Sequence, residues 1–150
     1  KGVDYMNITK QKSQKTFDKK AADYDTNIQG EHARKLYKPI IENLKNKNIH
    51  SILDLGCGTV VTKEIKELNI AEQLFGIDIS PNMLEIAKNK LGNDATLILG
   101  DSETLPFEDS SFDAIVCNDS FHHYPQPDIV EKEVSRCLKQ NGVFIIGDCW

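Results

Sequence analysis

The stretch ILDLGCGT at residues 52–59 decides the fold of this 150-residue chain. A short apolar run leads to Asp54 and then to two closely spaced glycines, Gly56 and Gly58. Glycine allows a tight turn and lets a ligand approach the bare backbone. A helix after such a turn points its N-terminal amides at the same place, which favours a bound carboxylate or phosphate. The stretch therefore predicts a strand, a turn and a helix with a ligand at the turn; a plain strand-to-helix turn is the alternative.

Short apolar runs alternate with helical segments from residue 50 onward. The runs are near-continuous, as expected for parallel strands covered on both faces, and they lie at residues 51–55, 74–79, 95–99, 112–117 and 143–147. Helices are predicted between them at residues 62–68, 81–91 and 128–138, the last one ending at the turn Asn141-Gly142. This alternation predicts a parallel sheet with right-handed crossovers.

The first third of the chain predicts helix. Its clearest segment lies at residues 31–44, where apolar residues form a helical stripe and Pro39 predicts a kink or a restart. The lysines up to Lys20 are interpreted as a solvated helical face, with a binding patch as the alternative. We therefore expect a helical lid or cap at residues 1–48 and a core domain at residues 49–150.

Composition and charge narrow the class of protein. Hydrophobic residues make up 39% and charged residues 27%, which is typical of one globular domain. The net charge of −5 disfavours nucleic acid as a partner, because an acidic domain repels phosphate. We expect no membrane span, since no apolar run approaches ~20 residues, and no signal peptide. The four cysteines form no Cys-x-x-Cys pair, which favours reduced thiols and a cytoplasmic location.

The ends of the second and third strands carry groups suited to a nucleoside. Ligands of open parallel sheets bind at the carboxyl ends of the strands. Asp78 can accept hydrogen bonds from a ribose diol, and Ile79 and Met83 can form an apolar wall against a planar base. Asp101 can accept from an exocyclic amine, while the backbone amide of Ser102 can meet a ring nitrogen.

The fourth strand ends in NDSFHHY at residues 118–124, a polar and aromatic cluster where a substrate would lie. A histidine titrates near ~6.5 and suits proton transfer. His123 is the first candidate for a base and His122 the second, with Asp119 a weaker one; a packing or capping role is the alternative for either histidine. We assign no metal ligand, because no third ligand has a suitable spacing from the histidine pair.

These stretches resemble the class I S-adenosylmethionine-dependent methyltransferases. The resemblance is greatest to the small-molecule group, methyltransferase type 11, which includes the ubiquinone and menaquinone biosynthesis enzymes. It is carried by ILDLGCGT, GIDISPNMLEIAK, GDSETLPFEDSSFDAIVCNDSFHHYPQP, LKQNGVFIIGD and FDKKAADYD, at residues 52–59, 76–88, 100–127, 138–148 and 17–25. The resemblance implies a Rossmann-like three-layer αβα sandwich with a mostly parallel sheet.

The resemblance also implies a cofactor and its contacts. S-adenosyl-L-methionine would donate a methyl group by in-line displacement to a small-molecule acceptor and leave as S-adenosyl-L-homocysteine. Tyr24 would close over the cofactor as a lid, and His123 and Tyr124 would face the acceptor. The full set of implied cofactor contacts is Tyr24, Asp54, Gly56, Cys57, Gly58, Asp78, Ile79, Met83, Asp101, Ser102, Glu103 and Asn118.

Two departures from the family pattern stand out. The family usually continues the loop with a further glycine, whereas Val60 follows Thr59 here, and we expect a strained loop or weaker binding. Family members normally have seven strands, and this sequence reaches Trp150 just after the fifth. We therefore expect a fold truncated after the fifth strand, and a free edge there favours association, for example as a homodimer.

Two other functions fit parts of the sequence. A nicotinamide-dependent oxidoreductase would share the Gly-x-Gly turn and the later acid, but its fingerprint needs a glycine at position 61, which is Val61. A non-catalytic module that binds S-adenosylmethionine or a nucleotide also fits, because of the loop and the missing strands.

Overall fold

The computed structural model describes residues 2–24, 26, 28–58 and 61–148, and the departure predicted at Val60 lies outside them. Five strands form one sheet in the order β3-β2-β1-β4-β5, and all four pairings are parallel. The strands are β1 Ile49–Leu55, β2 Ala71–Asp78, β3 Thr96–Leu99, β4 Phe112–Asn118 and β5 Leu138–Gly147. The predicted parallel sheet is confirmed. Several strands extend further than their apolar runs; β2, for example, has polar, exposed residues near its start.

Helices cover both faces of the sheet. They are α1 Gly2–Lys20, α2 Ile28–Leu44, α3 Val61–Glu67, α4 Pro81–Leu91 and α5 Pro127–Cys137. Ile40 and Leu44 of α2 pack with Ile65 of α3 in one core cluster, while Val130 and Val134 of α5 belong to the other. This arrangement confirms the predicted Rossmann-like three-layer αβα sandwich. None of the helices in these described residues is long and apolar enough to cross a membrane.

The start of α4 follows the sequence signals closely. Ser80 caps the helix, its side-chain oxygen accepting a hydrogen bond from the Met83 amide at 3.2 Å. Pro81 occupies the first turn, and Gly92 follows the last residue with a φ of 59°. The cap fixes where α4 begins, directly after the end of β2.

Two local predictions are met only in part. Pro39 lies inside one continuous helix, α2, so of the predicted kink or restart the restart is wrong, because the buried stripe continues through Ile40 to Leu44. The helix α5 ends at Cys137 rather than at the Asn141-Gly142 turn. Its last carbonyl oxygens accept from the loop amides of residues 110 and 111, so the chain enters β5 at once. Asn141, with a φ of 66°, instead lies where the register of β5 shifts against β4.

Candidate functional site

A cleft lies at the carboxyl ends of the strands, where the strand order reverses between β1 and β4. It encloses about 680 Å³ of space, part of it open to solvent. Its wall combines bare glycine backbone, acidic groups and aromatic rings from the strand ends and from α1. The lining residues are Lys10, Ser13, Phe17, Tyr24, Gly56, Gly58, Asp78, Ile79, Met83, Gly100, Asp101, Ser102, Asn118, Asp119, Ser120, His123, Tyr124 and Pro125.

The turn after β1 requires glycine for two reasons. Gly56 and Gly58 have φ values of 61° and 48°, which side chains with a Cβ rarely adopt. A Cβ at Gly56 would also lie 2.1 Å from the Oγ of Ser120. A Cβ at Gly58 would lie 3.2 Å from the Cε of Met83. The turn therefore presents bare backbone to the cleft and packs closely against the end of β4.

Asp78, at the end of β2, ties this turn to α4. Its Oδ2 accepts a hydrogen bond from the Gly58 amide at 3.0 Å, and its Oδ1 accepts one from the Ser80 amide at 2.9 Å. Burial raises the pKa of the Asp78 carboxyl, although these amides act in the opposite direction, and Asp18 nearby adds to the rise. The Ile79 amide also interacts with this carboxylate, which leaves about one of its acceptor positions open.

Two acidic side chains follow β3, and both form ion pairs with one lysine of α1. The Nζ of Lys10 lies 2.6 Å from the Oδ2 of Asp101 and 2.5 Å from the Oε2 of Glu103. Burial opposes the charge of Lys10, but hydrogen bonds to both carboxylates outweigh burial and raise its pKa. Glu103 is buried and also accepts from the backbone and side chain of Gln126. The predicted solvated lysine face was therefore wrong at Lys10, which is drawn into the cleft by the two acids.

The end of β4 carries a buried hydrogen-bonding network. The hydroxyl of Tyr124 lies 3.2 Å from the Oγ of Ser102 and 3.3 Å from the Oγ of Ser120. Burial raises the pKa of the Tyr124 hydroxyl well above its usual value, so it remains protonated and can donate. The Nδ2 of Asn118 donates to the Ala33 carbonyl at 3.2 Å, while its buried Oδ1 accepts no hydrogen bond from the described residues.

The two adjacent histidines face different surroundings. His123 lines the cleft, with its ring 5.1 Å from the ring of Phe17 in an edge-to-face contact. Burial and the neighbouring His122 lower the pKa of His123, which favours its neutral form. The Nδ1 of His122 lies 2.7 Å from the Oδ1 of Asp148, and His122 is not among the residues that line the cleft.

The structure brings most predicted site residues together in this cleft. Ten of them line it: Tyr24, Gly56, Gly58, Asp78, Ile79, Met83, Asp101, Ser102, Asn118 and His123. Four of the predicted residues do not line it: Asp54, Cys57, Glu103 and His122. Asp54 is buried at the end of β1, and the Sγ of Cys57 packs toward Gly76. Glu103 lies behind Asp101 on Gln126, and His122 is bound to Asp148.

Sequence reasoning missed the contribution of α1. Lys10, Ser13 and Phe17 all line the cleft. They are spaced three and four residues apart, so they share one helical face. That spacing is visible in the sequence and could have identified the face, although not its partner. Gly100, Ser120 and Pro125 were also not assigned to the site.

The cleft lies at the switch point of a parallel α/β sheet, which is where proteins of this architecture bind their ligands. A family model described as "Methyltransferase domain" matches residues 53–146. The chain belongs to this methyltransferase domain family.

Individual relatives agree with the family model. A demethylmenaquinone methyltransferase of Thermotoga maritima is 34% identical over 142 residues, covering 92% of this chain and 62% of that protein. A sterol 4-C-methyltransferase of Caenorhabditis elegans is 34% identical over 124 residues, covering 79% and 36%. The crystal structure of the YcgJ protein of Bacillus subtilis superposes with a TM-score of 0.66 at 28% identity, covering 75% and 50%. The chain thus spans between 36% and 62% of the length of these proteins.

Proposed function

We propose that the cleft binds S-adenosyl-L-methionine and that the protein transfers its methyl group to a small-molecule acceptor. The proposal rests on one observation: a single cleft is lined by the groups that the cofactor needs. These are the bare backbone at Gly56 and Gly58, the carboxylate of Asp78, and the edge formed by Asp101 and Ser102. Family membership supports the same reading, since the matched region contains every one of these residues.

The donor and acceptor groups fit the proposed cofactor. Asp78 keeps an acceptor position beyond its contacts with backbone amides, which suits a ribose hydroxyl. The Oδ1 of Asn118 is buried and can accept a hydrogen bond from an ammonium group. Asp18, Asp78, Asp101 and Glu103 give the region of the cleft negative charge, and Lys10 forms ion pairs with Asp101 and Glu103. A ligand with a sulfonium and an ammonium group is complementary to this charge.

The bound cofactor would supply an activated methyl group, so the protein has to supply alignment and exclude water. The glycine turn and Asp78 fix one side of the cleft through backbone hydrogen bonds. On the other side, the imidazole of His123 lines the cleft and can accept a proton from the acceptor. Alignment of this kind is worth roughly 7–11 kcal/mol of barrier.

We assign the lid to α1 and the turn after it, within the 1–48 segment. Lys10, Phe17 and Tyr24 contribute side chains to the cleft wall, and the Asp18 carboxylate accepts from the Ser80 hydroxyl at 2.6 Å. The second helix of the segment, α2, has its apolar stripe in the core and is not free to act as a lid.

The names of two relatives specify a sterol and demethylmenaquinone as substrates, which supports an apolar small-molecule acceptor. The net charge of −5 supports the exclusion of nucleic acid. Cys57, Cys117 and Cys137 are buried free thiols, which supports a reducing, cytoplasmic location.

Calorimetric titration of the chain with S-adenosylmethionine, S-adenosylhomocysteine and NADH tests the cofactor. We expect saturable binding of the first two and none of NADH. Turnover is then measured by mass spectrometry with a panel of apolar acceptors, using the full-length gene product. Binding of NADH alone would overturn the proposal in favour of an oxidoreductase. Cofactor binding without methyl transfer to any acceptor would favour a non-catalytic module.

A further inference from the structure

We propose a second site beside the cleft, in which Asp119, His122 and Asp148 bind one divalent transition-metal ion. Each of these residues offers a ligand atom, and the three atoms lie within 4.8 Å of one another. They come from the loop after β4, from the 3₁₀ turn Phe121–His123 and from the residue after β5. Because β4 and β5 are parallel neighbours, their carboxyl ends bring together residues that are 26 or more positions apart in sequence.

Hydrogen bonds from backbone amides hold the three ligands in place. The amide of Asp119 donates to the Gly147 carbonyl at 2.6 Å, which ties the ends of β4 and β5 together. Asp119 has a φ of 52°, a conformation that aspartate tolerates better than most residues. The amide of His122 donates to the Oδ2 of Asp148 at 3.1 Å. The three side chains therefore start from defined backbone positions.

The two carboxylates of this cluster favour the binding of a cation. The side chains of Asp119 and Asp148 are only 10% and 3% exposed, so two carboxylates lie close together and largely away from water. Buried like charges are costly unless an opposite charge offsets them. Two imidazoles are in contact with them, His32 at 3.2 Å from Asp119 and His122 at 2.7 Å from Asp148. A divalent cation would offset both carboxylates at once.

The three side chains can reach one ion by small rotations. Nitrogen and oxygen ligands of zinc lie at about 2.0–2.2 Å from the ion, so all ligand atoms of one ion lie within about 4.4 Å of one another. The three atoms already lie within 4.8 Å of one another, and two of them, on His122 and Asp148, are in direct contact. The ion would replace the hydrogen between the Nδ1 of His122 and Asp148, and the imidazole proton would then reside on Nε2. One imidazole with two carboxylates suits manganese, iron, cobalt or zinc rather than a soft metal.

The proposed ion would lie at the rim of the cleft. Asp119 itself lines the cleft, and His122 is 40% exposed, so the cluster is accessible from solvent. Three protein ligands leave further coordination positions to water. The ion is independent of cofactor binding in this proposal, because none of its three ligands is among the groups that we assign to the cofactor.

Metal titration of the chelator-treated chain tests the site without any cofactor. With cobalt or manganese alone, we expect saturable binding of one ion per chain by calorimetry. Asp119→Asn, His122→Gln and Asp148→Asn should each weaken it by at least about tenfold. Asp128→Asn is the matched control, because this exposed residue in the first turn of α5 removes the same charge and should leave affinity unchanged.

A spectroscopic measurement separates the proposed site from a general affinity for acidic surfaces. Pulsed electron paramagnetic resonance of the manganese-loaded chain should show one coordinated imidazole nitrogen, and His122→Gln should remove that signal. Far-ultraviolet circular dichroism checks that each variant is folded, and His122→Gln keeps both carboxylates if Asp148→Asn fails to fold. Absence of saturable binding overturns the proposal. Equal binding of magnesium that is unchanged in His122→Gln, or no imidazole signal, overturns it as well.

Discussion

Two aspartates at opposite ends of the sheet accept hydrogen bonds from similar partners, but the pKa values of their carboxyls shift in opposite directions. Asp78 lies at the carboxyl end of β2 and accepts from two backbone amides. Asp113 lies near the amino end of β4 and also accepts from two backbone amides, those of His50 and Ser51. Lys139 adds its ammonium group to Asp113 at 3.1 Å. In the described part of the chain, no lysine or arginine forms an ion pair with Asp78.

The pKa values of the two carboxyls reflect this difference. Burial raises the pKa of Asp78 and outweighs its amide partners. At Asp113 burial acts in the same direction, but the Ser51 amide, Lys139 and the His50 amide outweigh it and lower the pKa. Asp113 is thus paired with a cationic side chain of the fold, Lys139, which indicates a structural role. Asp78 is held by backbone amides without a cationic side chain, as expected of a carboxylate that binds a ligand.

The largest effect is expected at the turn that Asp78 holds. Gly56→Ala combines a left-handed backbone with a Cβ at 2.1 Å from the Oγ and 2.9 Å from the Cβ of Ser120. The hydroxyl can rotate away, but the Cβ of Ser120 cannot. We expect the free energy of unfolding to fall by about 2–5 kcal/mol and cofactor binding to be lost. Urea denaturation and calorimetric titration measure the two effects.

Gly92→Ala is the matched control for this substitution. Gly92 has nearly the same φ of 59°, but a Cβ there would meet no atom within 4 Å. It should cost about 1–3 kcal/mol through backbone strain alone and leave cofactor binding intact. Equal losses in the two variants would show that the close approach of Ser120 to the turn contributes nothing.

The next effect concerns Asp78 directly. Asp78→Ala leaves the amides of Gly58 and Ser80 without their acceptor, and each buried unsatisfied group costs about 1–3 kcal/mol. Cofactor affinity should fall by about a hundredfold, since hydrogen bonding to a charged group is lost. Asp78→Asn should lose similar affinity but less stability, because it keeps one acceptor oxygen and removes a buried charge. If Asp78→Ala binds the cofactor as the wild type does, Asp78 has no role toward the ribose.

The sequence predicts the Asp78 side of the cleft better than the rest, for a physical reason. The glycine turn, Asp78 and Asp101 each directly follow an apolar run, so their place at a strand end can be read locally. Lys10 reaches Asp101 across 91 residues, a contact that depends on how α1 lies over the sheet. The cluster of Asp119, His122 and Asp148 depends on β5 lying beside β4. The spacing of these residues along the sequence predicts neither the Lys10 contact nor the cluster.

A smaller effect is expected where the turn meets the end of β4. Tyr124→Phe removes the hydroxyl that contacts Ser102 and Ser120 and leaves the ring in place. We expect a loss of about 1–2 kcal/mol in the free energy of unfolding, because these hydrogen bonds are buried. Tyr5→Phe is the control, since Tyr5 is 73% exposed and should cost nothing measurable. Equal stability of Tyr124→Phe and wild type would show that the network does not stabilise the cleft.

The smallest effect distinguishes the two aspartates by pH. A carboxyl with a lowered pKa in the folded state stabilises the fold above its ordinary value near ~3.9, and this stability is lost as pH falls through the lowered pKa. Asp113→Asn should therefore be less stable than wild type at pH 7, and the difference should shrink in acid. Urea denaturation from pH 7 to pH 3 measures it, with Asp128→Asn as an exposed control.

Asp78 has the opposite linkage, because a raised pKa stabilises the fold in acid and the contribution disappears as pH rises. A difference between Asp113→Asn and wild type that grows on acidification would contradict the charge balance assigned to Asp113. The contrast with Asp78 would then rest on burial alone.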